Sequence, residues 1–193
     1  MKKIILFLSV VLLTAGITSA QDFSAGIKAG ANISNFNGGN FDAVKKKAIV
    51  GFHGGGFLNF RFGTFSLQPE LLISTQGARI DSANKSYDWK ITYATVPVML
   101  RFGSASGFFF ELGPQVGFKL GESVTDDTIE DFAKGLDLSA AAGLGVQTKG
   151  GIGLNARYLV GLSKVGDFDP SENIDPDFKN SVIQISAFIT LGK

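Results

Sequence analysis

Phe23-Ser24-Ala25-Gly26-Ile27-Lys28-Ala29-Gly30-Ala31-Asn32-Ile33 is the stretch that decides the fold. Every second residue is apolar, and between them stand Ser24, Gly26, Lys28, Gly30 and Asn32. Successive side chains of a strand point to opposite faces, so this is a strand with one apolar and one polar side. The pattern recurs seven times. Ala48 to Phe62 sets Val50, Phe52, Leu58 and Phe60 against His53, Asn59 and Arg61; Phe65 to Thr75 sets Leu67, Leu71 and Ile73 against Gln68, Glu70 and Ser74. Ile91 to Phe102 opposes Ala94, Val96, Val98 and Leu100 to Tyr93, Thr95 and Arg101. Four further strands begin near Phe108, Leu138, Ile152 and Ile183.

The connections alternate in length. Ser34 to Lys47, Arg79 to Ser86, Gly121 to Asp137 and Ser163 to Asn180 read as long polar loops, whereas Gly63-Thr64, Gly103 to Gly107 and Lys149-Gly150 are tight. Long loops at one rim and short turns at the other mark an eight-stranded antiparallel up-and-down transmembrane β-barrel, with both termini at the periplasmic, short-turn rim. A secreted lipocalin-type barrel also alternates, so the two faces must be compared. No Asp, Glu, Lys or Arg falls on the eight apolar registers; Lys28, Arg61, Glu70, Arg101, Glu111, Lys119 and Arg157 all fall on the other. A Lys or Arg at the bilayer midplane costs about 2–4 kcal/mol, so this exclusion marks a lipid face. The opposite face, rich in Gly, Gln, Ser and Asn, suits a narrow lumen.

The chain of 193 residues fits one domain, and its net charge of +1 gives no electrostatic reason to expect nucleic acid as a partner. Absence of cysteine removes disulfides, thiolate metal sites and a lipidated N-terminus. Lys2-Lys3, the apolar run Ile4 to Leu13 and Thr18-Ser19-Ala20 form a secretory signal peptide over 1–20, leaving 21–193 as the barrel domain. The apolar run is too short for a spanning helix, which needs about 20 residues.

Phe23, Phe60, Phe62, Phe65, Phe102 and Phe108 all fall at the short-turn rim and predict a periplasmic aromatic girdle. On the inward registers, Glu70, Glu111 and Arg157 predict a charge-paired plug, extended by Lys28, Lys119 and Arg101, since an unpaired charge in a poorly solvated lumen is costly. His53, the sole histidine, reads as a hydrogen-bonding lumenal residue rather than a metal ligand or catalytic base. The acidic runs Asp126-Asp127 with Glu130-Asp131, and Asp167, Asp169, Glu172, Asp175 and Asp177, lack calcium-loop spacing and read as solvated charge. No catalytic residue, metal or cofactor is expected.

Ser66-Leu67-Gln68-Pro69-Glu70-Leu71-Leu72 through Gly77, Tyr93 with Val96-Pro97-Val98-Met99-Leu100, Glu111-Leu112-Gly113-Pro114-Gln115, and Arg157-Tyr158 before Gly161-Leu162 resemble the PorT-like outer-membrane β-barrel family. The resemblance spans the chain beyond the leader and implies the same fold and an outer-membrane location. One departure is the C-terminus, where Leu191 is followed by Gly192-Lys193 instead of the terminal aromatic residue that many such barrels carry.

The sequence thus points to a small non-enzymatic barrel of the Gram-negative outer membrane. Its expected role is structural or surface interaction through the outer loops. Expected partners are membrane lipid, the barrel-insertion machinery and an extracellular partner. A narrow channel or transport or secretion accessory is the second reading, a membrane-embedded enzyme the third. Cleavage is expected after Ala20; intact-mass measurement on protein from the outer-membrane fraction should give a chain starting at Gln21, and retention of Met1 would refute it.

Overall fold

In lipid every backbone polar group must be bonded within the protein, which strands achieve only by closing on themselves. A computed structural model describes residues 22–38, 45–82, 85–124, 133–166 and 177–191. It has eight strands: β1 Asp22–Gly38, β2 Lys45–Phe62, β3 Phe65–Ser82, β4 Lys85–Gly103, β5 Phe108–Val124, β6 Leu136–Gln147, β7 Ile152–Gly161 and β8 Phe178–Leu191. Each pairs antiparallel with its chain neighbours, and β8 returns to β1 along a register running from Ala25↔Leu191 to Gly38↔Phe178. No sheet edge is left open.

The apolar registers point outward. Val50, Phe52, Leu71, Leu144 and Leu162 are largely exposed, while Lys28, Gln68, Glu70, Glu111, Gln115 and Arg157 are buried in the lumen. The six rim phenylalanines lie at the short-turn end on the outer face, with Phe23 tilted against Phe60 (centroids 5.4 Å apart) and Phe62 stacked on Phe65 (5.3 Å).

The strands are longer than the alternation alone indicates. β3 and β4 contain 18 and 19 residues, whereas a tilted strand crosses a bilayer in about 9–11. The surplus lies at the outer end and carries charge on its exposed face. Arg79 donates from Nε to Asp88 Oδ1 at 2.5 Å and from Nη2 to Oδ2 at 3.1 Å. That fork holds the Asp88 carboxyl below its ordinary value. Lys47 pairs with Asp81 at 2.6 Å. Arg79 to Ser86 is therefore not a long loop but mostly paired strand, with register from Arg79↔Asp88 to Ser82↔Lys85. Ser34 to Gly38, Lys45 to Lys47 and Gly121 to Val124 likewise belong to strands. Above the hydrocarbon both faces of a strand tolerate polar residues, so its composition mimics a loop.

Two register shifts bend the outer half of the wall, one between Ala48 and His53 of β2 and one between Thr92 and Tyr93 of β4. Near the first, Gly77 adopts a φ of 149°, and a Cβ there would run into the Trp89 carbonyl. Its N–H donates to Ser34 Oγ at 2.9 Å.

The lumen is not uniformly polar, contrary to the inward composition read from the sequence. Its outer end holds a buried apolar cluster of Phe36, Ile80, Trp89, Ile91, Tyr93 and Phe178, capped by Ala133 and Val165. The proposed leader 1–20, the acidic residues 126–131 and 167–175, and Gly192-Lys193 lie outside the described residues; Asp177 pairs with Lys164.

Leu71 is 62 % exposed and stands six positions along β3 from Phe65. Leu71→Arg is expected to lower stability in phospholipid vesicles by about 2–4 kcal/mol, while Thr148→Arg in the exposed β6–β7 turn leaves it within about 0.5 kcal/mol. Urea titration of the vesicle-embedded protein measures both.

Candidate functional site

Alternation sends every second side chain of eight strands into one narrow space, and burial there forces charged groups to find one another. Arg157 of β7 sits at the centre. Its Nη1 and Nη2 donate to Glu70 Oε2 and Oε1 of β3 at 3.0 and 2.8 Å, and its Nε donates to Glu111 Oε1 of β5 at 2.7 Å. Lys28 Nζ of β1 donates to Glu70 Oε1 at 2.8 Å, as does Gln68 Nε2 at 2.7 Å. Asn155 Nδ2 donates to Glu111 Oε1 at 2.7 Å. Charge-assisted bonds of this kind are about twice as strong as neutral ones, and the bidentate contact fixes geometry as well as charge.

Arg101 of β4 closes the cluster on the periplasmic side. Its Nη1 donates to Gln68 Oε1 at 2.5 Å, and its Nε lies 3.7 Å from Glu111 Oε2. The guanidinium carbon stands 3.7 Å from the Phe109 ring centroid. Phe109 belongs to an aromatic trio with Phe57 and Phe188, whose rings meet edge-on at centroid distances of 6.0 Å. Each ring lies over a glycine directly across the ladder: Phe57 over Gly26, Phe109 over Gly145, Phe188 over Gly153. A Cβ on any of these glycines would overlap the ring, so glycine is what gives each phenylalanine its place.

Above the charges lies a neutral network. His53 donates from Nδ1 to Asn32 Oδ1 at 2.7 Å, and its Nε2 is 2.8 Å from Ser186 Oγ. Asn32 Nδ2 donates to Ser74 Oγ and to the Thr75 carbonyl, which orients Oδ1 as the acceptor and puts a proton on Nδ1. The imidazole therefore sits within a satisfied polar layer.

These features belong to a lumen enclosed by lipid-facing strands, and the chain's relatives are of the same kind. A model of the family described as "Outer membrane protein beta-barrel domain" matches residues 19–167. The chain belongs to that family. It is accordingly a protein of the Gram-negative outer membrane. Neisserial surface protein A (NspA) is similar in structure at 14% identity and a TM-score of 0.56, over 88% of this chain and 99% of that one. The outer membrane protein OprG from Pseudomonas aeruginosa is similar at 12% identity and 0.51, over 90% and 98%. At such identities the likeness is one of fold. A search of curated sequences finds no match.

Of the six charged residues that the sequence assigns to the lumenal plug, five meet: Lys28, Glu70, Arg101, Glu111 and Arg157. Lys119 does not join them. It lies higher in the wall, beside the second register shift, and pairs with Glu122 at 3.1 Å. The aromatic trio was not anticipated from the sequence. Its signal is local failure of alternation, as in Phe108-Phe109-Phe110, where apolar residues occupy both faces.

Arg157→Leu would leave two carboxylates buried without their shared cation, and a loss of about 3–5 kcal/mol is expected. Adding Glu70→Gln and Glu111→Gln should recover part of it. Urea unfolding in vesicles, arranged as a double-mutant cycle, reads the coupling directly.

Proposed function

We propose that this protein is a small structural or surface-interaction barrel of the outer membrane, whose lumen is closed and whose work is done by the outer strand ends and loops. The observation that carries this reading is the double closure of the lumen. Buried ion pairs occupy its inner half and an apolar cluster its outer end. An eight-stranded barrel has an interior just wide enough for side chains, so filling it leaves no continuous aqueous path. The charged extension of β3 and β4 supports the same reading, because it lifts Arg79, Asp81, Asp88 and Lys90 on a rigid hairpin where an extracellular partner would meet them. The narrower PorT-like assignment rests on the Gln68-Pro69-Glu70 and Val96-Pro97-Val98 segments, export on the leader 1–20, and assembly on the barrel-insertion machinery.

The purified protein is expected to be electrically silent in planar lipid bilayers. Discrete conductance steps from the wild-type barrel would replace this reading with that of a narrow channel. A companion expectation is that deleting the gene leaves small-solute permeability unchanged while altering the proteins displayed at the surface, as read by outer-membrane proteomics.

A further inference from the structure

The two ends of the lumen differ. The outer end is sealed by the apolar cluster around Phe36 and Trp89, but the periplasmic end opens into a cavity of about 1080 Å³. Its lining includes Arg61, Arg101, Ser66 and Lys149, and among the described residues it contains no aspartate or glutamate. The cavity is therefore a dead-ended vestibule, reached only from the periplasm and lined with cations.

The register explains why the arginines share it. Arg61↔Ser66 and Ser66↔Arg101 are direct cross-strand partners, so β2, β3 and β4 place the three side chains in one row on the inner face. Neighbouring strands are about 4.8 Å apart, which puts the two arginine backbones about 10 Å from each other with the serine between them. Ser66 Oγ accepts from Asn59 Nδ2 at 3.0 Å, leaving its own proton free to donate downward. Arg61 is exposed and makes no ion pair among the described residues.

Arg101 supplies a second, independent sign. It is only 6 % exposed, and its Nε has no hydrogen-bond partner, since 3.7 Å to Glu111 is too long for one. The buried cluster counts three cations, Lys28, Arg101 and Arg157, against two carboxylates, Glu70 and Glu111. One positive charge is unbalanced, and the cation nearest the vestibule is Arg101. A buried unbalanced charge is costly, so the site is built for an anion.

We infer that the periplasmic vestibule binds an oxyanion, phosphate or carboxylate, between Arg61 and Arg101 with Ser66 as a donor. Arg61 is the exposed outer jaw and Arg101, its guanidinium carbon over the Phe109 ring, the buried inner one.

The test is titration of inorganic phosphate, and separately acetate, into the full-length barrel in zwitterionic micelles, followed by NMR of the arginine Nε–H groups. A saturable shift of the Arg101 signal is expected at constant ionic strength, with about tenfold weaker binding in Arg61→Gln. Arg101→Lys, which keeps the charge but loses the fork, should weaken phosphate more than acetate. If Arg101 variants fail to fold, Arg61→Gln at the exposed rim still decides the matter. A shift linear in phosphate and matched by chloride, or binding unchanged in Arg61→Gln, would overturn the inference. Saturation that appears only after anionic phospholipid is added would support the oxyanion site and identify a headgroup as its source.

Discussion

One guanidinium holds this barrel to its shape. Arg157 binds Glu70 and Glu111 at once, tying β7 to two strands that are not its neighbours in the wall. Backbone ladders fix each strand only against the next one, so a ring of eight could flatten without breaking a single ladder bond. Cross-lumen ion pairs resist that deformation. Because the pairs are buried, removing any one partner strands the others, which makes the cluster an all-or-none element of the structure.

The pairs in turn depend on small residues. The cation layer rests on Phe57, Phe109 and Phe188, and each ring occupies the space that a cross-strand glycine leaves empty. Substituting bulk at Gly26, Gly145 or Gly153 would lift a ring, and with it the surface on which Arg101 lies. Polar satisfaction and shape are thus coupled through residues that carry no side chain.

Alternation made the fold legible. It fixes which face each residue takes, and so it separated Glu70, Glu111 and Arg157 from Leu71, Leu112 and Tyr158 without any knowledge of the ring. Face is not depth, however. Lys119 shares the inward face of β5 with Glu111 but stands farther out along the same unbroken register, and the register shift just beyond it sets it beside Glu122, which only the paired ladder reveals. The outer strand ends escaped for a related reason: above the lipid, alternation loses its apolar member, and Arg79 to Ser86 reads as loop although it is hydrogen-bonded to its partner. The apolar outer cluster was hidden because Phe36, Trp89 and Phe178 come from separate strands and converge only on closure.

That convergence bears on how long the folded state lasts. Phe36 and Phe178 belong to the first and last strands, and their rings meet at 4.6 Å where β1 and β8 join. The contact joins strands from the two ends of the barrel sequence, and opening the seam must pull this aromatic pair and Trp89 apart. Interactions made after the rate-limiting step slow unfolding with little effect on folding. The outer cluster is thus placed as a latch on the seam, and any share of it formed after that step would lengthen the life of the closed barrel.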